Sequence, residues 1–120
     1  MSEVVLHVTD RKSFFSEVRT LAAALDRGER APSASRLGFE GAETLLKALT
    51  PNRWVLLRRL RTNGPGSIRA LAASLGRDYR GVHADVTALL DLGLIARDAA
   101  GKISVPWSRI TAELSLEDAA

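Results

Sequence analysis

The chain contains no cysteine, so no disulfide can staple it and no thiolate can act as nucleophile or metal ligand. Its two histidines, His7 and His83, lie far apart, and neither an HExxH motif nor a Gly-rich phosphate loop occurs. Asp78 and Asp85 have no acid–base pairing pattern. These absences argue against an enzyme, and no cofactor or metal is expected. No apolar run approaches the ~20 residues of a membrane span. The first residues carry Glu3 and alternate through Val4-Val5-Leu6-His7-Val8, unlike the basic start of a signal peptide. A cytoplasmic protein is the expectation. No internal repeat or low-complexity run is found.

What is present is a core-forming composition with an uneven charge. In 120 residues, 46% are hydrophobic, enough for a real core. Residues 1–49 balance seven basic against seven acidic groups. Residues 50–110 hold ten basic residues, nine of them Arg, against Asp78, Asp85, Asp91 and Asp98, a net of +6. The last ten residues carry −3. A basic segment of this kind suits phosphate contact, and Arg is the better fork for phosphate and guanine; a merely solvated face is the plainer reading.

The segment 67–105 gives that charge a scaffold. Ser67 can cap a helix whose Ile68, Leu71, Ala72 and Leu75 form one apolar face, and Gly76 can stop it. Asp78 can cap a second helix with Val82, Val86 and Leu89 turned inward. On a helical wheel Arg80, His83, Ala84 and Thr87 face the other way. Leu94–Arg97, a turn at 98–101 and Lys102–Val105 then read as a hairpin. Two helices joined by a Gly-containing turn, with a hairpin after them, are the pattern of a winged helix-turn-helix. In that pattern the second helix enters the major groove. The base-contact candidates are therefore Arg80, His83, Ala84 and Thr87. The phosphate candidates are Ser67, Arg69, Arg77, Arg97 and Lys102. Ordinary solvated residues on a protein-binding domain are the competing reading.

Upstream, Thr50-Pro51 opens a helix to Thr62 with Trp54, Leu56, Leu57 and Leu60 on a broad arc, Trp54 expected in the core. Gly41–Leu49 reads as a helix with Leu45, Leu46 and Leu49 inward. Val4–Val8 and Arg36–Glu40 read as short strands able to pair, and Gly28–Ser35 as a linker. From Asp10 to Arg27 a helix carries Phe14, Val18, Leu21 and Leu25 at spacings of a coiled-coil seam. It packs on its own domain, or it forms a dimer or partner contact. Arg109–Leu114 can form a last strand.

The motifs L-A-x-x-L-G-R-D, V-H-A-D-V-x-A-L and L-G-L-I-x-R-D-x-x-G-K resemble those of MarR-like winged helix-turn-helix regulators. With Leu46-Lys47-Ala48-Leu49-Thr50-Pro51-Asn52-Arg53-Trp54 and the later Val105-Pro106-Trp107, the order of elements is similar to that of small prokaryotic transcriptional regulators. Some of these resemble TumA-type antitoxins of toxin–antitoxin pairs. The likeness is tight from Leu46 to Trp107 and looser before it. Ala84 departs from it, standing where such proteins often place a basic residue. The resemblance implies a DNA-binding repressor, a homodimer on duplex DNA, and a cognate toxin as a further partner.

The expected class is α+β: a strand-helix-strand-helix extension for dimerisation or partner binding at 1–49, a winged helix-turn-helix at 50–110, and a tail at 111–120. The alternative is a protein-interaction module whose winged helix is only scaffold and whose N-terminal half inhibits a partner enzyme.

Overall fold

The computed structural model describes residues 2–9, 19–20, 22–23, 26 and 34–116. Helix and strand are mixed, in the order β1 (Glu3–Val8), β2 (Ala34–Phe39), α1 (Ala42–Ala48), α2 (Pro51–Asn63), α3 (Ile68–Leu75), α4 (Tyr79–Asp91), β3 (Ala96–Arg97), β4 (Ile103–Ser104) and β5 (Arg109–Glu113). The chain divides into two compact units, Met1–Lys47 with Trp107–Ala120, and Ala48–Pro106. The expected seam residues Phe14, Val18, Leu21 and Leu25 lie outside the described residues.

In the first unit β1 is the middle of a three-stranded sheet of order β2-β1-β5, parallel to both neighbours. Val4, Val5, Leu6 and His7 are all buried. A strand covered on both faces needs such a continuous run, because parallel sheets are enclosed. The register sets Leu6 beside Leu37 and Ala112, and Val5 beside Arg36 and Thr111. Gly38 is required by crowding: a Cβ there would stand 2.7 Å from Thr9 Cγ2. In α1 only Leu45 is buried, whereas Leu46, expected inward, is 53% exposed. Neighbouring helical residues point about 100° apart, and the narrow buried face of this short helix takes Leu45 and leaves Leu46 outward.

The expected boundaries also move. The compact helical unit ends at Pro106, and residues 111–113 belong to a strand. The amides of Ser108 and Arg109 donate to Ser2 O at 2.9 and 3.2 Å, and Arg109–Glu113 then fills the free edge of β1.

The second unit is three helices and a hairpin. Thr50 Oγ1 accepts from Arg53 N at 3.2 Å with Pro51 at the first helical position, as the local signal requires. Leu56, Leu57 and Leu60 are buried, but Trp54 is 37% exposed. It sits about 110° round the helix from the centre of that stripe, which puts it on the margin and not in the core. Ser67 Oγ accepts from Ala70 N at 3.0 Å, and Gly76 ends α3 in the left-handed region at φ 65°. Asp78 caps α4 by accepting from Gly81 N at 2.8 Å. Val82, Val86 and Leu89 are each 0% exposed.

The hairpin is shorter than its sequence suggests, with two residues in each strand. Leu94 and Ile95 do not join it; both amides return to Leu89 O at the end of α4, and both side chains are buried there. Asp98 shapes the turn, its Oδ1 accepting from the amides of Ala100 and Lys102 at 2.9 Å each. Gly66 and Ile103 exchange backbone bonds of 3.1 and 2.8 Å, which tie the hairpin to the loop before α3. No described helix is long and apolar enough to cross a membrane.

Candidate nucleic-acid interface

The buried stripe of α4 fixes what its other face presents. With Val82, Val86 and Leu89 inward, Arg80, His83, Ala84 and Thr87 are all exposed. All four base-contact candidates therefore share one open face near the helix N-terminus. Thr87 donates its hydroxyl to His83 O at 2.9 Å. It can then offer outward only a methyl group and acceptor lone pairs. Tyr79 and His83 stack at 5.7 Å in a tilted arrangement, and the Arg69 guanidinium lies 4.9 Å from the centre of the Tyr79 ring. An Arg over an aromatic face is held in place without losing its charge. Tyr79 was not singled out by the sequence for this role, although Arg69 was expected near phosphate.

The turn side chains divide. Ser67, Arg69, Arg97 and Lys102 are exposed. Arg77 is not available in the same way: its Nη2 donates to Asp85 Oδ2 at 2.9 Å, and its Nη1 is buried without a partner. Asp85 Oδ1 accepts in turn from Arg53 Nε at 3.0 Å. Arg53 Nη1 also donates to Ala48 O at 2.9 Å. One carboxylate on α4 thus clasps the start of α2 and the turn before α4. Arg77 thus differs from the other phosphate candidates in being engaged in this clasp, which sets two guanidinium groups on one carboxylate. A second tie joins α2 to α3, where Arg59 Nη1 donates to Ser74 O and Oγ, and Asn63 Nδ2 donates to Ser74 Oγ.

Arg109, counted within the basic segment by sequence, belongs to the other unit. The unit Ala48–Pro106 keeps nine basic residues against four acids, a net of +5. Two of the nine, Arg53 and Arg77, are engaged with Asp85. Arg58, Arg61, Arg69, Arg80, Arg97 and Lys102 carry exposed charge.

The HVO_A0114 family matches residues 48–112, more than half of the chain. The chain belongs to the HVO_A0114 family. The family match begins at Ala48, where the helical unit also begins, and takes in most of β5. This HVO_A0114 member is also similar to the HTH-type transcriptional regulator NmtR of Mycobacterium tuberculosis (strain ATCC 25618 / H37Rv). The two are 36% identical over 72 residues, covering 60% of this chain and 59% of that protein. The chain therefore spans about three fifths of the length of that relative. No solved structure matches it.

Proposed function

We propose that the unit Ala48–Pro106 is a winged helix-turn-helix that binds duplex DNA, and that the protein is a transcriptional regulator. The observation that carries this reading is the outward face of α4, with Arg80, His83, Ala84 and Thr87 exposed, followed in the chain by a hairpin bearing exposed Arg97 and Lys102. The likeness to a transcriptional regulator supports it. In this reading α4 lies in the major groove. Arg80 pairs with guanine edges, and Thr87 offers its methyl to thymine. Ser67, Arg69, Arg97 and Lys102 meet phosphate, Arg69 from its seat on Tyr79.

One such helix covers only a few base pairs, so the regulator acts as a homodimer on two half-sites about one helical turn apart. Phe14, Val18, Leu21 and Leu25, spaced in the sequence as a coiled-coil seam, are the candidates to join copies or hold a partner. The role is that of a cytoplasmic repressor of the MarR-like kind. Autoregulation as an antitoxin is its most specific form, with a toxin bound through the N-terminal half.

The test is a titration of duplex DNA by fluorescence anisotropy at several salt concentrations. About four to six phosphates neutralised by the exposed cations give a slope of log affinity on log salt of about −4 to −5. A flat response removes the DNA reading and leaves the protein-interaction module. A small toxin-like reading frame sharing the promoter supports the antitoxin role, and co-purification of its product with this chain tests it.

A further inference from the structure

We infer that the outer edge of β5 is a contact between two copies of this chain, paired antiparallel about Thr111. Among the described residues no strand lies beyond β5 in the order β2-β1-β5, and Arg109, Ala112 and Glu113 are exposed. The amide of Arg109 donates to Ser2 O on the β1 side. Alternation then turns the N–H and C=O groups of Ile110 and Ala112 to the open edge. An unpaired edge of this kind is a template for another strand.

The residues of β5 specify which strand. The sequence Arg109-Ile110-Thr111-Ala112-Glu113 is charge-complementary to its own reverse. Laid antiparallel with Thr111 opposite Thr111, Arg109 of each copy faces Glu113 of the other, and Ile110 faces Ala112. Ile110 and Ala112 then exchange the backbone bonds that the edge leaves open. The charged pairs fall at the non-hydrogen-bonded positions, where side chains approach most closely. Within one strand Arg109 and Glu113 stand about 13 Å apart, too far to satisfy each other. The opposite edge lacks this property, because the sequence of β2, Ala34–Phe39, holds Arg36 and no acidic residue that a second copy could set opposite it. A contact of one short strand is small, so the association is weak and needs concentrated protein to be seen. It does not rest on the DNA reading.

Sedimentation velocity on the full chain at about 100 μM decides it, a concentration at which weak contacts are populated. Wild type should move as a dimer that dissociates on dilution. Arg109→Glu alone, or Glu113→Arg alone, sets like charges opposite each other and should weaken association about tenfold or more. An equimolar mixture of the two variants restores both opposite-charge pairs and should recover the dimer. Ala112→Pro removes an outward amide while sparing every bond to β1, and should give single chains with unchanged circular dichroism. A wild type of single-chain mass overturns the proposal. So does a dimer that both reversals leave intact, or a mixture of the variants that stays monomeric.

Discussion

Replacing Asp85 by Ala removes the one acceptor shared by Arg53 and Arg77. The two bonds measure 3.0 and 2.9 Å, and the side chains are only 16% (Asp85), 22% (Arg53) and 27% (Arg77) exposed. A charge-assisted bond in a dry site is worth about 1.5–3 kcal/mol. Residual solvent contact lowers this, so about 2 kcal/mol is expected for the pair together. For a unit of this size that corresponds to a melting temperature lower by roughly 10 °C. Arg53 keeps Ala48 O as an acceptor, whereas Arg77 is left with none, so the turn before α4 bears most of the loss. Thermal melts by circular dichroism of wild type, Asp85→Ala, Arg77→Ala and the double variant measure it. Arg77→Ala should cost less, about 1 kcal/mol, because Asp85 retains Arg53. The double variant should cost less than the sum of the singles, since the residues share one bond. An Asp85→Ala melt within about 0.5 kcal/mol of wild type, or strict additivity, refutes the reasoning.

Three further outcomes are expected. Arg80→Ala should cost about 1–3 kcal/mol on a specific site and much less on random DNA, as measured by anisotropy. Lys102→Ala should weaken both DNAs equally, since a hairpin tip meets phosphate and not bases; equal losses from both substitutions would make Arg80 a positioning residue only. Gly38→Ala should destabilise the sheet unit by about 1–3 kcal/mol in a urea titration, because the new methyl must displace Thr9 from a 2.7 Å approach.

The parts of the fold legible in the sequence are those whose causes are local. Thr50, Ser67 and Asp78 cap helices through bonds to amides three residues on, so spacing alone reveals them. The stripe Val82, Val86 and Leu89 is equally local, and it determines which side chains α4 turns outward. The rest depends on partners distant in sequence. Arg77 looks like any basic residue in a turn until Asp85 is found opposite it, and Arg53 reaches the same carboxylate across 32 positions. Leu94 and Ile95 have strand-forming residue types, yet the end of α4 takes their amides. β5 was half visible: its strand pattern was readable, but the acidic composition of the last ten residues read as tail, and only the free edge of β1 recruits it.

The acids of the helical unit clarify what its basic charge is for. Asp78 is occupied by the Gly81 amide, Asp98 by the amides of Ala100 and Lys102, and Asp85 by two guanidinium groups. Three of its four carboxylates are thus engaged in fixing α4 and the hairpin. Each keeps its charge, but among the described residues none of them forms an ion pair with Arg69, Arg80, Arg97 or Lys102. Arg80 has no acid partner among the described residues, and Arg69 is kept on an aromatic ring, which positions it without a counter-ion. A surface selected only for solubility gains by interspersing both signs. Here Asp78, Asp85 and Asp98 serve a cap, a clasp and a turn, with Asp78 and Asp98 still exposed, while Arg69, Arg80, Arg97 and Lys102 are exposed without an ion-pair partner among the described residues. An anionic polymer would meet these exposed cations on a unit whose net charge is +5.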